Sequence, residues 1–203
     1  MIDLIPTQEY TMDILRKTKA YRQGHFVYRN GQHASHYFQM PLALRFYDNA
    51  KVLGVGLSRK FRMKKSISRH LPRVAIISPS AGGIPVAFGI REALSADQIY
   101  WTEIEDGKRQ FRQYIEKGDF DSCIIVDDII RSGSTMKETF KLVEEFGANI
   151  IGCGSIVKLS TAPQEISGIE LQSLVEFDCK FYDTGEELVA AEGNGSPEEI
   201  VRF

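Results

Sequence analysis

The residues that most constrain this chain are Ser122 to Thr135, an apolar run that meets two adjacent acids and then a small, hydroxyl-rich segment. Cys123, Ile124, Ile125 and Val126 follow one another without polar alternation, which predicts a strand buried on both faces, as in a parallel sheet covered by helices. A helical pattern then runs from Met136 to Phe146. Strand, loop and helix in that order place the loop at the carboxyl end of the strand, where open α/β sheets bind their ligands. Ser132, Gly133, Ser134 and Thr135 would offer an anion free amides, hydroxyls and the positive end of a helix dipole, with Gly133 admitting close approach of the backbone. Asp127 and Asp128 have the wrong sign to grip a phosphate. They suit sugar hydroxyls, or a hydrated magnesium ion beside a phosphate.

A second segment of the same kind lies upstream. Arg73 to Ser80 reads as a strand, Ser80-Ala81-Gly82-Gly83 as a glycine loop, and Ile84 to about Leu94 as a helix. Paired glycines let a backbone approach an anion closely. Gln98 to Ile115 then reads as strand, turn, strand, with Lys108, Arg109 and Arg112 as its available cations. Further strands are expected at Asn149–Val157 and Leu171–Phe177, followed by a polar tail from Tyr182.

Toward the N-terminus, Thr7 suits the N-cap of a helix running to about Tyr21 and ended by Gly24. A hairpin follows, with Phe26 and Tyr28 alternating, a tight turn at Asn30-Gly31, and Tyr37-Phe38 resuming the strand. A helix is expected from Asp48 to about Ser66, its late cluster of basic residues complementing the helix dipole. Residues 1–203 therefore read as one α/β domain with a parallel sheet flanked by helices. A small N-terminal hood of about residues 22–45, to which the C-terminal tail can add, would cap a core of about 48–178.

Twenty-five Lys and Arg against 27 Asp and Glu give a formal net charge of −2, so composition makes no case for nucleic acid and any anion site must be local. No window is long and apolar enough to span a membrane, and the first residues lack the pattern of a secretory leader. Three widely spaced cysteines fit neither a disulfide framework nor a zinc site, so a reducing cytoplasm is expected. His25, His33 and His36 lie close in sequence but without nearby Cys or acids to complete a metal site.

The run of four apolar residues, two acids, two apolar residues, a variable position, Ser, Gly, any residue and Thr resembles the phosphoribosyl pyrophosphate (PRPP) signature of type I phosphoribosyltransferases. The hairpin opening Gly24-His25-Phe26 is similar to the hood of orotate phosphoribosyltransferases in particular, and the likeness extends over roughly residues 7–185. The resemblance implies a magnesium-dependent transfer of phosphoribose from PRPP to a nitrogen base, orotate first, by a cytoplasmic homodimer. It further implies that Ser80, Ala81, Gly82 and Gly83 hold pyrophosphate, with a cis peptide between Ser80 and Ala81. Asp127 and Asp128 would meet the ribose, Ile129, Ile130, Arg131, Ser132, Gly133, Ser134 and Thr135 would surround the 5′-phosphate, and Lys108, Arg109 and Arg112 would close over the leaving group, with Lys108 placed as catalytic beside the acids. Arg29, Tyr37, Phe38 and Lys158 fall on base-contacting positions.

Some positions depart from the family pattern. Trp101 and Thr102 stand where orotate enzymes carry a basic pair, Leu159 where they carry Arg, and Arg131 where they carry Thr. Those departures keep open a PRPP- or nucleotide-binding regulator without chemistry and a transferase for another base. Arg131 itself could add a cation to the phosphate, or pair with Asp127 or Asp128 and blunt the ribose site.

Overall fold

The computed structural model describes residues 5–193 together with the backbone of residues 198–200. In chain order the elements are α1 (Gln8–Lys17), β1 (Tyr21–Val27), β2 (His33–Phe38), α2 (Pro41–Leu44), α3 (Tyr47–Arg62), α4 (Lys65–Ser68), β3 (Ala75–Ser78), α5 (Ile84–Leu94), β4 (Gln98–Glu105), β5 (Lys108–Phe111), β6 (Ser122–Ile130), α6 (Ser134–Phe146), β7 (Asn149–Leu159), β8 (Glu165–Ile166), β9 (Ile169–Phe177), α7 (Gly185–Glu192) and β10 (Glu198–Ile200).

Seven strands form the main sheet in the order β5-β4-β3-β6-β7-β9-β8. Its five inner strands are parallel, and the short edge strands β5 and β8 run antiparallel to their neighbours. This is the α/β fold with helix-covered parallel strands that the unalternating apolar runs predict. Side chains along β3 and β6 show why such runs are needed. Ile76, Ile124 and Val126 enter one core with Leu53, Leu57 and Phe61 of α3 and Ile90 of α5, whereas Ile77, Cys123 and Ile125 enter another with Met136, Phe140 and Val143 of α6. Both faces of each strand are dry.

The connections fix where a ligand can enter. From β3 the chain passes through α5 to β4 on one side, and from β6 it passes through α6 to β7 on the other. Adjacent strands whose connections diverge leave a crevice at their carboxyl ends, here between the loop after β3 and the loop after β6. A separate three-stranded sheet, β10-β1-β2, includes the N-terminal hairpin, and backbone bonds between His33 and Tyr182 tie it to the chain beyond β9.

Several boundaries differ from the sequence expectation. Thr7 caps α1 as expected, its hydroxyl accepting from Tyr10 N, but the helix stops at Lys17 instead of Tyr21. The Thr18 hydroxyl donates to the Ile14 carbonyl, Lys19 turns the chain at φ 59°, and residues from Tyr21 pair with β2, so Gly24 lies inside a strand at a register shift. The helical pattern from Asp48 breaks after Arg62 and resumes as the short α4. Most consequential, β6 stays paired with β7 through Ile130, which puts Asp127 and Asp128 in the strand and starts the loop at Arg131. Ladder pairing opposite Ser155, Val157 and Lys158 outweighs the low strand preference of aspartate. The Ser80–Ala81 peptide is not cis; among the described residues the cis bond is Leu71–Pro72. A trans bond there is the default, because the cis form of a non-proline peptide costs about 3 kcal/mol. Among the described residues no helix is long and apolar enough to cross a membrane.

Candidate active site

The two loops meet on the acid pair. Asp127 and Asp128 are only 6% and 7% exposed. The Ser80 hydroxyl donates to Asp127 Oδ1 at 2.6 Å, the Asp128 N–H donates to the same oxygen at 3.0 Å, and the Ile129 N–H donates to Asp128 Oδ1 at 2.9 Å. Ser80 is itself fixed twice: its carbonyl accepts from Ser78 Oγ at 2.7 Å, and its Oγ accepts from Gly83 N at 3.2 Å. The glycines are required by contact. A Cβ on Gly82 would lie 2.7 Å from Asp128 Oδ2, and one on Gly83 would lie 2.5 Å from Asp127 Oδ1 and 2.6 Å from Ser78 Oγ.

Burial and the neighbouring Asp128 hold the Asp127 carboxyl well above the usual range, and burial also raises Asp128. Two buried acids side by side are unfavourable until something shares their charge. Ribose hydroxyls or a divalent cation would do so. Among the described residues no third His, Cys, Asp or Glu joins the pair to make a metal cage. Two carboxylates suit a hard cation that takes its other oxygens from substrate and water, which is how magnesium is held beside phosphates, so the residues fit that ion in this limited sense.

After β6, Gly133 caps α6 at φ 76°, a conformation that glycine adopts without strain. Asp127, Ile129 and the residues from Ile130 to Met136 line a cavity of about 130 Å³. Ser132 Oγ lies 3.0 Å from Ser134 Oγ, and Thr161 braces the loop from outside by donating to the Arg131 carbonyl at 2.7 Å. Hydroxyls, the first amides of a 13-residue helix and a dipole directed at one small cavity make an anion seat.

The expected cations are distributed unevenly. Arg109, its side chain 9% exposed, donates to the Pro79 carbonyl at 2.6 Å and to Thr102 Oγ1 at 3.0 Å, and pairs with Glu138 of α6 at 3.0 Å. It thereby ties the β4–β5 hairpin to the residue before Ser80. Thr102 contributes by donating to the same carbonyl at 3.1 Å. Arg112 is exposed and lies 3.5 Å from Glu103, and Lys108 is exposed beside the β4–β5 turn.

The expected base-contacting residues are not gathered in one place. Arg29 is exposed in the turn between β1 and β2. Tyr37 and Phe38 are buried, Tyr37 against Phe26 and Tyr28, and Phe38 against Tyr21 and Phe177. Lys158 is buried on β7 and held by Glu176 at 2.8 Å and Gln164 at 2.6 Å. Arg131 does not pair with Asp127 or Asp128. Its guanidinium lies 3.7 Å from the Phe181 ring centre and 5.1 Å from that of Tyr28, and it donates to the Gln32 side chain. Tyr28 donates to the His36 carbonyl at 3.0 Å, and burial raises its pKa, so it stays neutral. Tyr28 was visible in the sequence as part of the hairpin alternation. No sequence signal marked Phe181 or Gln32, which reach Arg131 only through the tertiary fold.

A family model described as the phosphoribosyl transferase domain matches residues 62–186, more than half of the chain and all of both loops. Among curated proteins, the orotate phosphoribosyltransferase of Thermotoga petrophila is 28% identical over 173 residues, covering 84% of this chain and 87% of its own. That of Caldanaerobacter subterraneus is 25% identical over 186 residues, covering 92% and 93%. Among solved structures, orotate phosphoribosyltransferase from Aeropyrum pernix aligns with a TM-score of 0.66 at 20% identity, over 89% of this chain and 97% of that one, a likeness of fold. The matched span contains both anion loops and the acid pair between them, and the chain belongs to the phosphoribosyl transferase domain family as an enzyme of the phosphoribosyltransferase type.

Proposed function

We propose that the chain transfers phosphoribose from PRPP to orotate with magnesium, releasing pyrophosphate and forming orotidine 5′-monophosphate. The observation that carries this reading is the junction of two helix-capping loops on one buried acid pair, with Ser80 joined to Asp127 and glycines packed on both carboxylates. PRPP has a phosphate at one end, a pyrophosphate at the other and two hydroxyls between them. The cavity of residues 130 to 136 would seat the 5′-phosphate, Asp127 and Asp128 would accept from the ribose hydroxyls, and the amides of residues 80 to 83 would face the pyrophosphate.

Breaking the bond at the anomeric carbon leaves positive charge on the ribose and negative charge on the pyrophosphate. Asp127 and Asp128 have the sign to oppose the first, and the loop amides, with Lys108 and Arg112 from the hairpin, the second. Magnesium, when bound with PRPP, supplies charge neutralisation at the leaving group. Seating all three parts of PRPP beforehand settles orientation before reaction. Orotate ionised at its ring nitrogen is already nucleophilic, so no strong general base is needed. Orotate is favoured as acceptor by the names of the sequence relatives and by the hood hairpin, whose Tyr28 and Gln32 meet Arg131 of the loop after β6.

The test is turnover of purified protein with PRPP and magnesium against orotate, uracil, adenine and hypoxanthine, read as pyrophosphate release. Orotate-dependent release that is abolished by chelating magnesium is the expected result. Release with a purine alone would reassign the acceptor, and calorimetric PRPP binding without release on any base would favour a regulator that uses the same seat.

A further inference from the structure

We propose that Arg131 determines the acceptor, its guanidinium, stacked on Tyr28 and Phe181, acting as the cation that recognises in its own plane the carboxylate of a planar anionic base. This inference rests on the functional reading above and names a residue for its specificity.

The acceptor must attack the anomeric carbon from the side opposite the departing pyrophosphate. The pyrophosphate side is the loop of residues 80 to 83, so the acceptor belongs between the acid pair and the hood. Arg131 spans that interval. It lines the cavity shared with Asp127, and its guanidinium reaches Tyr28 and Gln32 of the hairpin and Phe181 beyond β9. Other cations near the crevice are committed or remote. Lys158 is buried and paired with Glu176 and Gln164, Arg109 is engaged by Pro79, Thr102 and Glu138, and Arg29 is exposed in the hairpin turn.

The present contacts of Arg131 are compatible with a ligand. Aromatic stacking uses the faces of a guanidinium, whereas a carboxylate is bound in its plane by a pair of parallel N–H groups. Gln32 accepts from one nitrogen, Nη2, so an edge of the fork is left for an anion. Two aromatic rings and a side-chain amide hold the fork in place before the ligand arrives, which reduces the ordering cost of binding. A flat, carboxylate-bearing heterocycle matches the charge and shape of that wall, and a neutral base does not.

The experiment is steady-state kinetics of the native protein with Arg131→Met and Arg131→Lys, varying orotate at saturating PRPP, PRPP at saturating orotate, and uracil as an acceptor that lacks the carboxylate. Arg131→Met should raise KM for orotate about tenfold or more. The KM for PRPP should rise by less than that for orotate, preference for orotate over uracil should fall by the same factor as orotate affinity, and Arg131→Lys should recover part of the loss. Native turnover of orotate with an unchanged orotate KM in Arg131→Met would overturn the inference alone. Equal losses on orotate and uracil, as from lost packing, or a rise confined to the PRPP KM would do the same. Native turnover restricted to a neutral purine would overturn both this inference and the functional reading.

Discussion

At the scale of single residues, the site depends on what is missing as much as on what is present. A methyl group at Gly83 would overlap Asp127 Oδ1 and Ser78 Oγ at once, and both are held in place by hydrogen bonds. Gly83→Ala should therefore displace the acid pair and lower kcat/KM by about a hundredfold, while circular dichroism shows the helices intact. The acids also cost stability. Because burial and Asp128 raise the Asp127 value above the ordinary 3.8, the folded chain keeps a proton that the unfolded chain has lost, and stability falls as pH rises through that window. Asp127→Asn removes this penalty, and its amide oxygen can still accept from Ser80 and from the Asp128 N–H. Substrate-free Asp127→Asn protein should melt at a higher temperature than the native chain at pH 7, with the gap closing by about pH 4, and should lose turnover. Equal melting temperatures at pH 7 would show that the pair is not strained.

At the scale of elements, the β4–β5 hairpin is attached to the site by two side chains, Arg109 and Thr102, which both donate to the Pro79 carbonyl. Arg109 reaches from β5 to the Pro79 carbonyl and to Glu138 of α6, so three elements share it. Arg109→Met keeps much of its apolar bulk and removes the charged hydrogen bonds. Such bonds are worth about 1.5–3 kcal/mol each when buried. Amides of Thr102 to Phe111 should exchange with deuterium about tenfold faster or more, and the PRPP KM should rise; unchanged exchange would mean that ladder pairing alone holds the hairpin. Most elements were legible in the sequence because hydrophobic period and turn residues report directly on them. The end of α1 was not. A helix pattern continues to Tyr21, but pairing of Tyr21 with Phe38 draws those residues into β1, and no local signal announces a partner 17 positions away. The carboxyl end of β6 was likewise not marked in the sequence, since pairing with β7 decides that Asp127 stays in the ladder.

At the scale of the whole molecule, two cores hold the sheet between α3 and α5 on one face and α6 on the other. Phe61 joins layers in the first core. A Cβ on Gly154 of β7 would lie 3.0 Å from its ring, so helix and strand meet at the closest distance that a glycine permits. Phe61→Ala should lower unfolding free energy by about 3–5 kcal/mol in urea titration, with the loss shared by probes of both cores. The divergence of connections at β3 and β6 then places Ser80, in the loop after β3, within hydrogen-bond reach of Asp127 near the carboxyl end of β6, 47 residues further along the chain. By itself the sequence determined most of the elements, the buried parallel strands and the two loops rich in glycine and hydroxyls, because apolar runs, glycines and hydroxyls act through their nearest neighbours along the chain. Only the tertiary structure decided that Lys158 is consumed by Glu176, that Arg109 anchors a hairpin, and that Arg131 turns to the hood aromatics and away from the acids. A long cationic side chain goes where charge, aromatic faces and burial are best satisfied, and those surroundings come from segments that only the fold brings together.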